Sequence, residues 1–154
     1  MPDPLGHNRT VPEYMDKTVV GWRETVDLPD WGVKGMIAKV DTGARTSAIH
    51  VENVEHVGED RVSFEVVTSR KPNAERIRVV APVKRLTSVR SSIGKAQERI
   101  VVETTMILGH HERLVELSLV SRKKMLCRML LGRRALEGDF VVDVSLKHTK
   151  RRKR

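Results

Sequence analysis

The stretch Ala38-Lys39-Val40-Asp41-Thr42-Gly43-Ala44-Arg45-Thr46-Ser47-Ala48-Ile49-His50 runs from an apolar segment into an acid-Thr-Gly turn and back into apolar residues. A carboxylate presented on such a turn suits peptide hydrolysis, provided it has a partner. One ionised carboxylate takes a proton from water while a second, protonated one hydrogen-bonds the scissile carbonyl. Asp41 alone supplies half of that pair. A second copy of the chain, related by a two-fold axis, supplies the other half, because two carboxylates about 3 Å apart hold one proton between them. The contact is then isologous, and the protein is expected to be a homodimer. Gly43, lacking a side chain, lets the two turns approach at the axis. Taken by itself, the tripeptide Asp41-Thr42-Gly43 also fits an ordinary tight turn, for which Asp and Gly are common residues.

A second segment about 90 residues downstream, Met129-Leu130-Leu131-Gly132-Arg133-Arg134-Ala135-Leu136, adds to this reading. It resembles the apolar-apolar-Gly-Arg segment that precedes the C-terminal helix of retropepsins, and the two segments stand in the same order as in that family. Together with Val89-Arg90-Ser91-Ser92-Ile93-Gly94, they resemble a bacterial and archaeal family of retropepsin-like proteins over about Val19 to Val144. Members are often labelled "ATP-dependent zinc protease" and are associated with an ATP-grasp glutamate ligase that modifies a ribosomal protein. The resemblance implies a mostly β, closed β-barrel protomer with one short C-terminal helix. It implies an aspartic endopeptidase with Asp41, Thr42 and Gly43 at the catalytic centre and Thr42 hydrogen-bonding across to the partner's turn. Leu130 and Leu131 are expected to pack beneath that turn, with Gly132 allowing a close backbone crossing.

In retroviral members the positions after the Asp-Thr-Gly-Ala segment are acidic, and one pairs with the Arg that follows the apolar-apolar-Gly segment. Here those positions hold Arg45 and Thr46, so Arg133 is expected to pair with Glu137 or Asp143 instead. Arg45, next to Ala44 in the presumed cleft, is either an ordinary solvated arginine or a selector of acidic, glutamate-rich substrates through charge-assisted hydrogen bonds. A mobile cover that excludes water is also needed. Its tip is placed at Ser91-Ser92-Ile93-Gly94, before a strand from Arg99, with Ser69 to Asn73 as the alternative.

The elements that must position these residues are strands. Aromatics make up only 3% of the sequence, so the core falls to Val, Ile, Leu and Met, and the β-branched share favours strands. Short apolar bursts occur at Val19 to Trp22, Val26 to Leu28 and Met36 to Val40, with a turn at Pro29-Asp30-Trp31-Gly32. Alternation at Val62-Ser63-Phe64-Glu65-Val66 and at Ile77-Arg78-Val79 predicts one hairpin. Ile100, Val102, Thr104, Met106 and Leu108, turning at Gly109-His110 into Val115, Leu117 and Leu119, predict a second. A short helix over Arg133 to Glu137 stops at Gly138, and Phe140 to Val142 resumes as a strand.

Length and charge bound the rest. The 154 residues suit a single domain, expected over 18–146, after a polar, Pro-containing arm at 1–17 and before a basic tail at 147–154. Six of the net nine positive charges lie in that tail. The tail is read as a solvated end, or as a contact for nucleic acid or an acidic partner. The single Cys127, the lack of an apolar run long enough to span a membrane, and the polar start lead to the expectation of a cytoplasmic protein without a membrane partner. No cofactor or metal is expected. His110-His111-Glu112 lacks helical ligand spacing, His50, His56 and Cys127 are scattered, and no phosphate-binding Gly-rich loop occurs. The competing reading is a catalytically silent dimeric β module that binds a peptide, nucleic acid or a ribosomal partner.

Overall fold

The computed structural model describes residues 16–90, 93–121, 123–124 and 126–150. The expected N-terminal arm, except Asp16 and Lys17, lies outside these residues. The described chain is mostly β, as the scarcity of aromatics and the β-branched core residues require. Its strands are β1 (Thr18–Val20), β2 (Arg23–Leu28), β3 (Val33–Val40), β4 (Ser47–Val57), β5 (Arg61–Val67) and β6 (Arg76–Pro82). They continue with β7 (Arg85–Arg90), β8 (Ala96–Leu108), β9 (His111–Val120), β10 (Met129–Leu131) and β11 (Phe140–Val142). One helical turn, α1 (Arg133–Leu136), separates β10 from β11.

The two hairpins expected from alternation are present. β5 and β6 pair antiparallel from Arg61–Pro82 to Val67–Arg76, which turns Val62, Phe64 and Val66 inward. Phe64 is fully buried and takes the edge of Trp31 at a centroid distance of 5.3 Å. β8 and β9 pair across Gly109-His110, with Leu108 opposite His111. Gly109 has φ +62°, a left-handed conformation that favours glycine in this tight connection.

Two strands were not legible from periodicity. β7 carries few apolar residues, yet it pairs with β8 from Arg85–Val101 to Arg90–Ala96, so β8 begins earlier than its apolar row suggests. That pairing leaves Val101 only 3% exposed although it sits on the opposite face of β8 from Val102. β4 extends through eleven residues because its second half pairs with β5, whereas its first half runs parallel to β9.

The large sheet has nine strands, in the order β10-β3-β2-β8-β9-β4-β5-β6, with β7 beside β8. β4 also pairs with β10, so the ladder returns to its start. The seam between β2 and β8 rests on a single residue pair, Asp27–Ile107. The expected closed barrel is therefore a ring of pairings with one thin seam.

β1 and β11 form a separate parallel pair. Gly21 follows β1, and a Cβ there would run into the Leu146 carbonyl. Glu24, wholly buried, accepts hydrogen bonds from Gly21 N–H at 2.7 Å, from Thr149 Oγ1 at 2.5 Å, and from the Thr149 and Lys150 N–H groups, both at 3.2 Å. The beginning of the basic tail is consequently held against β2, because a buried carboxylate needs donors and the tail backbone and the Thr149 hydroxyl provide them. Among the described residues, no helix is long and apolar enough to cross a membrane.

Candidate active site

From Met36 onward β3 alternates, with Met36, Ala38 and Val40 buried and Ile37 and Lys39 on the other face. Asp41 follows in the row of Ile37 and Lys39 and is half-buried, while Thr42 and Gly43 are exposed. The turn is held from within: Asp41 Oδ1 accepts the Gly43 N–H at 2.9 Å, and the Asp41 carbonyl accepts the Ala44 N–H at 3.2 Å.

It is held from outside by the second sequence segment. β10 runs parallel to β3, and the Leu131 carbonyl accepts the Asp41 N–H at 2.9 Å. A helix leaves its first N–H groups without internal partners. For α1 the turn supplies them, since Gly132 N–H donates to Ser47 Oγ (3.0 Å), Arg133 N–H to the Ala44 carbonyl (2.8 Å) and Arg134 N–H to the Arg45 carbonyl (3.1 Å). The approach is so close that a Cβ on Gly132 would sit 2.5 Å from the Thr46 carbonyl oxygen and 2.8 Å from its nitrogen. Leu131 is fully buried, and Leu130 lies between Lys39 and Ala48 in the ladder.

The expected carboxylate partner of Arg133 is not what the structure contains. Arg133 Nη1 donates instead to the Thr42 carbonyl at 2.9 Å, across the back of the turn. Asp143 is engaged by Ser145, whose hydroxyl and N–H hold its carboxyl below the usual carboxylate range. The Glu137 carbonyl takes Arg113 at 2.9 Å. The guanidinium thus braces the turn backbone where an acidic side chain is missing at positions 45 and 46.

Arg45, Arg133 and Arg134 are all exposed, and the two backbone bonds that cap α1 bring residues 44–45 beside residues 133–134, while Arg134 lines a pocket together with Glu103, Glu116 and Glu137. Of the expected cover residues, Ser91 and Ser92 lie outside the described residues. Ile93 is 78% exposed and Gly94 has φ +83°, both in the connection between β7 and β8. Among the described residues, none of the turn's hydrogen bonds comes from them.

Ser47 and His50 are both buried; sequence reasoning passes over Ser47 and weighs His50 only as one of several scattered metal-ligand candidates. His50 donates its N–H to the Arg128 carbonyl at 2.8 Å. Burial, followed by the nearby Arg128 charge, lowers its imidazole from the ordinary 6.5.

The described residues do not gather a zinc site. Among the described residues no three His, Cys, Asp or Glu side chains converge to hold a metal. His111 Nε2 instead meets Thr18 Oγ1 at 2.8 Å, and its ring packs against Phe140.

Residues 19–153 match the family model described as RimB-like, "Retropepsin-like aspartic endopeptidase RimB". The chain belongs to the RimB-like family. Relatives include two proteins named "Probable alpha-L-glutamate ligase". The one from Shewanella halifaxensis is 37% identical over 133 residues, covering 84% of this chain and 29% of the relative. The one from Parasynechococcus marenigrum is 36% identical over 135 residues, covering 86% and 29%. The RimB-like chain thus spans less than a third of the length of these relatives. A solved Legionella pneumophila protein of unknown function superposes with a TM-score of 0.71 at 25% identity, over 86% of this chain and 98% of that one.

Proposed function

We propose that the protein is an aspartic endopeptidase whose carboxylate pair consists of Asp41 from each of two copies. The observation that carries this reading is the turn itself, a half-buried Asp41 on an Asp-Thr-Gly bend braced by Leu131, Gly132 and Arg133, in a chain of a retropepsin-like family. In the proposed reaction one Asp41 takes a proton from water as the water attacks the scissile carbonyl. The protonated Asp41 of the second copy donates to the carbonyl oxygen, and a proton then passes to the leaving amine. Thr42 bonds across the axis, and the exposed Gly43 lets the turns meet. The second copy also covers the groove lined by Val19, Val141, Val142 and Val144 along the β1–β11 pair, where Val144 is 77% exposed. The connection between β7 and β8 at Ile93 and Gly94 closes over the substrate.

The exposed Arg45, just after the Asp41 turn, supports acidic substrates. The relatives' name supports the same class. A domain of this family occurs within proteins named as α-L-glutamate ligases, and α-linked glutamate is a peptide that a hydrolase of this kind would cleave. Cleavage of a diverse peptide mixture by wild type and by Asp41→Asn, read by mass spectrometry across a range of pH, tests the proposal. Cleavage is expected to vanish in the variant and to yield to an aspartic-protease transition-state analogue but not to a chelator. Equal cleavage by both proteins refutes the assignment of Asp41. Arg45→Ala is expected to reduce the preference for acidic peptides, and an unchanged preference removes Arg45 from substrate selection.

A second reading is favoured by the same relatives, in which the matching region is 29% of a longer protein. There the domain would be a catalytically silent dimeric module that binds a ligase's substrate. It predicts peptide binding with no cleavage by wild type under any condition in which the dimer is intact.

A further inference from the structure

Along β3 from Asp41, a pocket of about 470 Å³ is lined by Arg23 of β2, by Thr68, Ser69, Arg70 and Lys71 at the tip of the β5–β6 hairpin, and by Arg128 just before β10. Four of these six side chains are cationic, they come from three separate parts of the chain, and no carboxylate lines the pocket. The Nε atoms of Arg23 and Arg128 are buried and have no hydrogen-bond partner among the described residues. Buried donors in a folded protein ordinarily have acceptors, so two such Nε donors at one cationic pocket suit it to an anion.

The neighbouring acid does not meet that need. Glu52 is bound by Arg76 at 2.8 Å, and Arg128 Nη1 reaches only the Lys123 carbonyl at 3.4 Å. Burial and then the adjacent Arg70 charge pull the Arg128 guanidinium below its ordinary range, a strain that a bound anion relieves.

The position of the pocket identifies the anion's carrier. Gly35 and Ile37 form part of its wall. Ile37 stands in the row of β3 that includes Lys39 and leads to Asp41, Gly35 comes just before that alternation begins, and Arg23 stands directly opposite Lys39 in the ladder. At about 3.3 Å per residue, the pocket runs from the level of Lys39 to that of Gly35, roughly 7 to 20 Å from Asp41, the span of two to six residues of an extended peptide. The forked guanidinium groups suit planar carboxylates, and no aromatic side chain lines the pocket to stack a nucleic-acid base.

We infer that this pocket binds acidic side chains of a peptide two to six residues from the scissile bond, with Arg23 and Arg128 as specificity-determining residues. The catalytic consequence rests on the endopeptidase reading above, whereas the binding does not.

The test is fluorescence anisotropy of labelled hexa-α-L-glutamate with the full chain carrying Asp41→Asn. Binding is expected to weaken on the order of tenfold with Arg128→Gln and again with Arg23→Gln. The exposed pair Arg70→Gln and Lys71→Gln, which leaves the buried framework untouched, is expected to weaken it about threefold. Absence of binding by the parent, unchanged binding in all three variants, or displacement of the peptide by an unstructured RNA oligomer at lower concentration than by unlabelled peptide overturns the inference. Pocket-dependent binding without cleavage by wild type keeps the pocket and rejects the endopeptidase. Cleavage of glutamate-rich and neutral peptides alike, with KM unmoved by Arg128→Gln, keeps the endopeptidase and rejects the pocket.

Discussion

Replacing Gly132 by Ala places a methyl group where the chain has no room for it. The new Cβ would lie 2.5, 2.7 and 2.8 Å from the oxygen, carbon and nitrogen of Thr46, all backbone atoms that cannot rotate away. Either the segment 44–47 or the start of α1 must shift. Any such shift strains the Gly132–Ser47 bond at 3.0 Å and the Arg133–Ala44 bond at 2.8 Å, which tie the Asp41 turn to the helix. Overpacking of this kind costs about 1–3 kcal/mol, and a weakened buried hydrogen bond adds about 1 kcal/mol, so a destabilisation of about 2–4 kcal/mol is expected. In urea unfolding, with a slope of about 2 kcal/mol/M, this lowers the midpoint by roughly 1–2 M without changing the slope. Ser47→Ala, which removes the hydroxyl but leaves the crossing open, is expected to cost only about 1 kcal/mol. A Gly132→Ala protein within about 0.5 kcal/mol of wild type, or no worse than Ser47→Ala, would show that the crossing yields freely and that the bracing of the turn has been overstated.

Removing residues 148–154 withdraws the Thr149 and Lys150 donors from the buried Glu24 carboxylate, leaving Gly21 as its remaining donor among those described above. Thermal unfolding should show a loss of about 2–4 kcal/mol, and an unchanged midpoint would mean that the clasp carries no stability. Arg133→Gln takes the guanidinium from the Thr42 carbonyl at an exposed position, so stability should fall by no more than about 1 kcal/mol while turnover falls further. Parallel losses, or none, would deny the residue a role in positioning the turn. For His50 the folded imidazole sits below 6.5, so in acid the unfolded chain takes up a proton that the fold refuses. Its contribution is present in full above pH 6.5 and is lost as pH falls from there through the lowered folded value. Urea midpoints measured between pH 7.5 and 5 should therefore decline, and His50→Asn should flatten that decline; equal slopes would remove His50 as the cause.

The sequence by itself determined those features whose cause is local. Alternation in Val62 to Val66 and from Ile100 to Leu108 specifies the faces of β5 and β8, because each strand must turn every second residue to the core. The Asp-Thr-Gly turn and the apolar-apolar-Gly-Arg segment were legible as residue types in order. What the sequence could not disclose was how these pieces meet. β7 and the second half of β4 exist because partner strands pair with them, and their own residues carry little apolar period. The choice of Arg133 between a carboxylate and the Thr42 carbonyl depended on where α1 lies against the turn, a matter of angstroms that residue types do not encode. Arg23, Arg70, Lys71 and Arg128 are separated by up to about a hundred residues and resemble ordinary surface cations until the ring of strands gathers them around one pocket. Likewise Glu24 and Thr149 stand 125 positions apart, and only the return of the chain along β2 joins them. Local periodicity is written residue by residue, whereas a site built from distant strands exists only once the nonlocal pairings have formed.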